Sequence, residues 1–423
     1  MGNILLENIL YENKAVNVHI KDGIISSIVP YSPGSCADGS DAEKVDCRGK
    51  ALLPGFVNMH THAAMSVMRG VGEDIAFQEW LKRIWVLESG IDEEFVYYAT
   101  KLACLEMAKT GTTTFNDQYW HMPQARRAAL ELGIRPVLSY VLCDRMDTEQ
   151  ARRQREECIA HHQESLLWPE KSQFMIAVHA VYSVTEESIL WAREYATRHN
   201  LKLHIHLSET EQEVAQCKAE HGGLSPVEYL DRLGFLGSDV IAAHTLWLSE
   251  KDIEILGERK VNGVHNINSN LKLSSGYRFM YNELRDAGAN VCLGTDGCAS
   301  SNNLDMLEAM KTSAIVQKAW RNDPSAMPLD ELLAMATANA GKALGNGTGH
   351  VCEGAPADLM IIDTENLNFV SPGSFLANLV YSAHSDCISS LICNGRFVMR
   401  ERVVDNEREI IEQARTVLKR IIQ

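Results

Sequence analysis

The sequence lacks the features that mark secreted and membrane-attached proteins. Its eleven cysteines include no C-x-x-C pair, and their odd number and irregular spacing argue against a disulfide framework. No window approaches the roughly 20 apolar residues of a membrane helix, and residues 1–25 lack the basic start and apolar core of a signal peptide. The opening also lacks the Ser or Thr that a myristoylation signal carries at its sixth position. We therefore expect a cytoplasmic protein without membrane attachment.

The sequence also lacks a block of basic residues. It has 40 basic and 56 acidic residues, which gives a net charge of −16. This balance argues against a nucleic acid or an anionic membrane as partner. The content of 45% hydrophobic and 23% charged residues is ordinary for a soluble globular protein.

The central part of the chain alternates short apolar runs with longer amphipathic segments. Eight runs are present, at 56–60, 112–117, 135–142, 174–180, 201–207, 240–244, 261–267 and 289–296. The segments between them, such as 93–111, 124–133 and 186–200, have apolar residues at helical spacing. Eight such units predict an α/β fold, a (β/α)8 TIM-type barrel over residues 54–350.

The two ends of the chain have a different texture. Residues 1–53 predict short strands with turns at 21–23 and 32–41, and strand patterns return at 357–364 and 388–404. We expect residues 1–53 and 351–405 to form one small β domain beside the barrel. Residues 406–423 predict a C-terminal amphipathic helix, and the glycine-rich stretch 345–350 is interpreted as a loop.

Polar residues collect at the ends of the predicted barrel strands, where barrel enzymes place their catalytic groups. Seven of the fifteen histidines lie there, together with one glutamate and one aspartate. These residues are His60, His62, His179, His204, His206, His244, His265, Glu209 and Asp296. Their concentration at one edge of a barrel predicts an active site.

The spacing of His60 and His62 predicts a metal site. Side chains at i and i+2 of a strand point to the same face, so both can contact one ion, although a solvent-facing pair on a strand would share this spacing. A histidine from the fifth strand and Asp296 would complete three nitrogens and one oxygen, a set that suits zinc and also iron or manganese. His204 and His206 face the same way, and strand periodicity does not choose between them.

Six motifs resemble the amidohydrolase superfamily, in its cytosine- and adenosine-type deaminase branch. They are PGFVNMHTH (54–62), HLSET (206–210), AAHT (242–245), HNINSNLKL (265–273), GTDGCASSNN (294–303) and PADLMIID (356–363). Because separate motifs agree in order over nearly the whole chain, the resemblance is specific. It is greatest to the methylthioadenosine/S-adenosylhomocysteine deaminases.

The resemblance implies roles for the strand-end residues. One divalent metal ion, zinc in the first place, would be bound by His60, His62, His206 and Asp296. Glu209 would be the proton shuttle, His244 would orient the attacking hydroxide, and Asp296 would also take part in catalysis. The fourth predicted strand lacks the lysine that many relatives use to hold a second metal, so a mononuclear site is implied.

The resemblance also implies substrate contacts. Glu88 would bind ribose hydroxyls, His179 would contact the purine ring, and Trp80 and His121 would line the pocket. Two simpler interpretations stay open, with Trp80 as helix core and Glu88 as a carboxylate at a helix end.

One position departs from the relatives that accept S-adenosylhomocysteine. Tyr140 stands where they carry an arginine near the end of the third strand, and the second arginine could correspond to Arg145, Arg152 or Arg153. The reaction that the resemblance implies is the hydrolytic deamination of a small-molecule substrate, an adenosine-type compound, to its inosine analogue and ammonia. Methylthioadenosine, 5′-deoxyadenosine and adenosine are better expected substrates than S-adenosylhomocysteine.

Other functions remain open at this point. The same ligand set serves deaminases and hydrolases of guanine, pterins and triazines, and a non-catalytic scaffold is a further alternative. Analogy with the fold also allows a homo-oligomer.

Overall fold

Two eight-stranded sheets organise the chain. The structure is a computed structural model that describes residues 2–33, 42–168 and 172–421. Most of the turn predicted at 32–41 lies outside the described residues. Within the described ranges, no helix is both long enough and apolar enough to cross a membrane.

One sheet is a parallel barrel whose strands follow each other in chain order. Its strands are β6 (Phe56–Thr61), β7 (Thr112–Gln118), β8 (Arg135–Leu142), β9 (Gln173–Val178), β10 (Leu203–Leu207), β11 (Val240–His244), β12 (Asn262–His265) and β13 (Asn290–Leu293). Each predicted run coincides with one strand. The ring closes where the backbone N–H of Asp296 donates to the carbonyl of His60 at 2.9 Å. The predicted (β/α)8 fold is confirmed.

Helices surround the barrel and connect its strands. They are α1 (Phe77–Glu88), α2 (Glu93–Lys109), α3 (Met122–Leu132), α4 (Thr148–Ser165), α5 (Glu186–His199), α6 (Glu211–Glu220), α7 (Pro226–Arg232), α8 (Glu250–Glu258), α9 (Ile267–Lys272), α10 (Tyr281–Ala287), α11 (Cys298–Ser301), α12 (Met306–Arg321), α13 (Leu329–Ala336), α14 (Ala338–Leu344), α15 (Phe375–Ala377) and α16 (Glu407–Ile421). The stretches predicted at 93–111, 124–133 and 186–200 correspond to α2, α3 and α5. Asp92 and Thr185 cap α2 and α5 by accepting backbone N–H bonds, which explains where these two helices begin.

The second sheet combines both ends of the chain, as the sequence predicts. Its strands are β1 (Ile4–Tyr11), β2 (Lys14–Lys21), β3 (Ile24–Pro30), β4 (Glu43–Asp46), β5 (Lys50–Pro54), β14 (Leu359–Asp363), β15 (Ile388–Cys393) and β16 (Arg396–Met399). The two ends meet where β5 pairs antiparallel with β14. We keep the division at residues 53 and 351 as a proposal.

The sheets are joined by a buried ion pair, and the barrel interior is filled. The Arg135 guanidinium, on β8, donates to the Asp358 carboxylate at 3.0 Å. Buried side chains from six of the barrel strands pack into one cluster that includes Val57, Met59, Val137, Met175, Ile241, Val264 and Cys292. The chemistry is therefore confined to the end of the barrel where the strands stop.

Candidate active site

The backbone is strained where several barrel strands end. Ser208, His244 and Asp296 adopt positive φ angles of 52°, 73° and 64°. These left-handed conformations are uncommon for residues other than glycine, and they cluster at functional sites. They let the side chains at the strand ends converge above the barrel core.

Four of the predicted side chains converge at this point. The Nε2 atoms of His60 and His62 lie 3.4 and 3.3 Å from Oδ1 of Asp296. Nε2 of His206 lies 3.3 Å from Nε2 of His62. The side chains of His60, His206 and Asp296 are buried, and His62 is nearly so.

The hydrogen bonds of the rings fix where their lone pairs point. Nδ1 of His62 lies 2.7 Å from the carbonyl of Gln118, and Nδ1 of His206 lies 2.8 Å from the carbonyl of His179. Carbonyls only accept, so each Nδ1 carries the proton and each Nε2 offers a lone pair. Burial holds the pKa of His206 well below its usual value, which favours the neutral ring. The Nε2 atoms of His62 and His206 face each other across a small gap, with the buried Nε2 of His60 and the Asp296 carboxylate beside them, and this arrangement fits a metal cation.

The Asp296 carboxylate supplies the negative charge of the cluster. Oδ2 accepts from the Ser269 hydroxyl at 2.6 Å, and Oδ1 accepts from the N–H of Gly297 at 2.8 Å. Burial raises its pKa, but the hydrogen bond and charge of His60, with the charges of neighbouring histidines, outweigh burial and hold the pKa well below the usual value. Three nitrogens and one ionised carboxylate form a donor set suited to zinc.

His204 and His265 lie outside the cluster. Nε2 of His204 lies 3.0 Å from Nδ1 of His60, so this buried ring supports His60 from behind. The geometry therefore supports His206 over His204 as the direct ligand. His265 packs face to face on Phe279, with ring centres 4.0 Å apart.

Glu209 and His244 lie side by side above the cluster. Oε2 of Glu209 is 3.7 Å from Nε2 of His244, and Oε1 accepts from the Ser275 hydroxyl at 3.3 Å. Asn270 contacts Nδ1 of His244 at 3.0 Å. Burial, followed by the negative charge of Asp296, raises the pKa of Glu209 to about 8. A carboxyl with such a pKa can both accept and return a proton near neutral pH.

The cluster forms the floor of an inner chamber, and one face of α1 forms its wall. The lining contributed by α1 consists of Phe77, Trp80, Leu81, Ile84, Trp85 and Glu88. His179 lines the same chamber, with its Nδ1 2.7 Å from the Ser183 hydroxyl. Three of the four predicted substrate contacts, Trp80, Glu88 and His179, therefore face the chamber that contains Asp296.

Two polar lining residues at the end of β7 are among those that were not predicted. Gln118 and Tyr119 follow from β7, which extends one residue beyond the predicted run, and both line the inner chamber. Burial raises the pKa of Glu88 to about 8, and neighbouring Tyr119 and Arg145 only partly offset it. The rule that polar residues at strand ends serve the site would have found Gln118, had it been applied to the second barrel strand.

His121 lies in a separate outer chamber of about 480 Å³. This chamber adjoins the inner one, since both are lined by Trp85, Glu88, Tyr119, Trp120 and Val141. His121 therefore lies away from the cluster of three histidines and Asp296, at the approach to the inner chamber.

The outer chamber also contains the position where an arginine was expected. The Tyr140 hydroxyl donates to the Glu157 carboxylate at 2.7 Å. Arg145 lies over the ring of Trp85, 5.0 Å from its centre, and lines the chamber. Arg152 instead pairs with exposed carboxylates of its own helix. Arg145 is therefore the better match for the second expected arginine.

Comparison with known proteins identifies the family of the chain. The model of the Amidohydrolase family matches residues 51–398. The chain is 43% identical to a 5′-deoxyadenosine deaminase of Methanoregula boonei over 90% of this chain and 86% of that protein. It is 40% identical to a 5-methylthioadenosine/S-adenosylhomocysteine deaminase of Archaeoglobus fulgidus, covering 89% and 90% of the two chains.

A solved structure resembles the chain along its whole length. This is an adenosine deaminase from Xanthomonas campestris with bound zinc, which superposes with a TM-score of 0.92 at 31% identity over 99% of this chain and 98% of that one. The resemblance found in the sequence motifs is confirmed, and the chain belongs to the amidohydrolase family.

Proposed function

We propose that the protein is a hydrolytic deaminase of adenosine-type nucleosides that uses one divalent metal ion, with zinc as the best fit. The observation that carries this proposal is a single chamber lined both by His62, Glu209 and Asp296 and by Glu88. A purine above the cluster would place its ribose toward Glu88. The deaminase relatives at 40–43% identity support the same reaction.

The metal would be held by His60, His62, His206 and Asp296. When bound, a divalent ion supplies a Lewis acid and lowers the pKa of water from about 15.7 to near 7. The chain's own contribution is to hold three neutral imidazoles and one carboxylate with their lone pairs directed at one point. His204, behind His60, keeps that ring oriented.

Glu209 would move the protons of the reaction. Its carboxyl lies beside His244 and accepts the Ser275 hydroxyl bond, so it is held above the cluster. It would accept a proton from the attacking water and deliver it to N1 of the purine. His244 would orient the water, whose oxygen would bond to C6 of the purine. Glu209 or Asp296 would then pass the remaining proton of the new C6 hydroxyl to the amino group, and the C6–N bond would break to release ammonia.

The wall of the chamber would select a ribosyl purine. The Glu88 carboxyl is buried and has an unpartnered oxygen, so a ligand hydroxyl would satisfy it. His179, on the far side of His206, would contact the ring. Guanine, pterins and triazines carry no ribose and would leave Glu88 unsatisfied, which makes them the weaker alternative. A non-catalytic scaffold has no need for the complete set of ligands and proton-transfer groups.

The outer chamber would receive the group attached at the 5′ position. Aromatic side chains line it, and the charged residues in its lining include Glu93, Glu157 and Arg145. Tyr140 is bonded to Glu157, and Arg145 is the one arginine in the described lining of this chamber, so a single guanidinium would face the carboxylate of an amino-acid tail. We therefore rank 5′-deoxyadenosine, methylthioadenosine and adenosine above S-adenosylhomocysteine.

An ammonia-release screen tests the proposal. The zinc-loaded enzyme would be offered adenosine, 5′-deoxyadenosine, methylthioadenosine, S-adenosylhomocysteine, guanine and pterins. Release of ammonia from the first three, with the absorbance change of adenosine-to-inosine conversion, is the expected result. Turnover of guanine or pterins without turnover of any adenosine compound would overturn it.

A further inference from the structure

Two helices beside the active site begin with complete capping boxes. In α7 the Ser225 side chain accepts the N–H of Glu228, and the Glu228 carboxylate accepts the N–H of Ser225 at 3.0 Å. In α8 Ser249 and Asp252 form the same reciprocal pair. Such contacts satisfy N–H groups that the start of a helix leaves free.

The helix that follows Glu209 has the same sequence pattern but only half of this arrangement. In α6 the Thr210 hydroxyl accepts the N–H of Glu213 at 3.0 Å. The Glu213 carboxylate, however, reaches past Thr210. Its two oxygens accept the N–H groups of Ser208 at 2.9 Å and of Glu209 at 2.7 Å. Glu213 thus binds the backbone between strand and helix.

This short segment carries the proton-transfer carboxyl. Ser208 is in the left-handed conformation, with φ of 52°, and its carbonyl accepts from the N–H groups of Leu246 and Trp247. Both the C=O and the N–H of the peptide bond between Ser208 and Glu209 are therefore hydrogen-bonded. Glu213 and Glu209 are only 6% and 9% exposed, so solvent does not readily replace a lost bond.

We propose that Glu213 is a positioning residue for Glu209, an inference that rests on the proposed role of Glu209. By binding two consecutive N–H groups, Glu213 sets the direction of the Cα–Cβ bond of Glu209. That direction keeps the Glu209 carboxyl beside Ser275 and His244. Without it, the carboxyl would sample orientations away from the reacting atoms.

The first test compares two glutamate substitutions at helix starts. E213Q turns one acceptor oxygen into an N–H2 group that faces a backbone N–H. We expect kcat to fall about 10- to 100-fold, as for a misplaced catalytic group, with KM within about twofold and metal content unchanged. E228Q makes the same chemical change at the start of α7, where one acceptor oxygen is enough for the cap, and should leave kcat unchanged. A normal kcat in E213Q would overturn the inference.

A double-mutant cycle separates positioning from general stability. In an E209Q background, E213Q should cost less than about twofold in kcat, because the group it positions is already absent. An equal loss of kcat in both backgrounds would show a structural role and overturn the proposal. If E213Q accumulates poorly, E213D, whose shorter side chain cannot reach both N–H groups, takes its place with the same expectations.

Hydrogen–deuterium exchange provides a readout without activity. The amides of Ser208 and Glu209 should exchange faster in E213Q than in wild type, and E228Q should leave them unchanged. Unchanged protection in E213Q would overturn the inference. Failure of wild type to deaminate any adenosine compound would instead count against the proposed function, while the exchange result would still decide whether Glu213 fixes this backbone.

Discussion

The floor and the wall of the inner chamber are built in opposite ways. The floor, formed by His60, His62, His206 and Asp296, lies at strand ends where every ligand has a second hydrogen-bonding partner. The wall is one face of α1 (Phe77–Glu88), in which Trp80, Ile84 and the carboxyl of Glu88 are buried while the rest of the helix is partly or fully exposed. The Ala76 side chain provides no cap for this helix.

Because of this difference, we assign the chemical step to the floor and the selection of substrate to the wall. A barrel strand is held by neighbours on both sides, so its end fixes a side chain within narrow limits. A helix packed through one face can change its side chains with less effect on the barrel. We therefore expect changes in the floor to alter metal content and kcat, and changes in the wall to alter KM, selectivity and stability.

The largest effect is expected from the fifth-strand histidines. H206N removes a proposed direct ligand, so metal content should fall well below one ion per chain and kcat/KM should drop by more than about 100-fold. H204N removes only the support of His60 and should weaken metal affinity about 10- to 100-fold. Elemental analysis after dialysis against a graded chelator measures both. Retention of metal in H206N with loss in H204N would reverse the assignment.

The second-largest effect is expected at Glu209, where a substitution should impair proton transfer and leave metal binding intact. E209Q should retain one metal ion per chain and lose on the order of 10²- to 10⁴-fold in kcat, the usual contribution of a general acid–base group. E211Q, an exposed substitution on the adjacent helix, is the matched control. Metal analysis and steady-state kinetics check the pair, and near-normal turnover of E209Q would refute the shuttle role.

A substitution in the wall should weaken substrate binding and increase the stability of the fold. E88Q should raise KM for nucleosides and stabilise the fold above pH 5. Burial raises the folded-state pKa of Glu88 from 4.5 to about 8, so wild type loses stability as pH rises through this window. The difference in unfolding free energy between E88Q and wild type should grow from near zero at pH 4.5 to about 2–3 kcal/mol at pH 7.

Denaturant titrations across pH 4.5–8 measure this difference. E79Q, an exposed substitution on the same helix, should track wild type at every pH. A constant offset between E88Q and wild type would contradict the burial argument.

The smallest effect is expected at the outer chamber. E157Q removes a negative charge from its rim and should improve the preference for S-adenosylhomocysteine over methylthioadenosine by up to about fivefold, because exposed charges contribute at most about 1 kcal/mol. The gain should shrink at high salt. E156Q, which lies outside the chamber, serves as control. A preference that does not change in E157Q would mean that the tail does not approach this carboxylate.

The sequence by itself determined the fold and the family. Apolar runs with the period of strands, separated by segments with the period of helices, gave all eight barrel strands and α2, α3 and α5, because buried faces impose their period on the chain. The histidine pair at 60 and 62, with Glu209, His244 and Asp296, could be located because barrel strands end at one face.

Tertiary structure decided the features that depend on residues distant in the chain. Periodicity places His204 and His206 on the same face of the strand. Only their partners from other strands show that His204 supports His60 and that His206 reaches the cluster. The same applies to His121 and to the packing of α1 over the floor. The bonds of Glu213 are local, but its capping pattern predicts that its carboxylate accepts the N–H of Thr210, whereas in the fold it accepts those of Ser208 and Glu209. A hydrogen bond is specified by where two chain segments meet, and one-dimensional spacing does not contain that information.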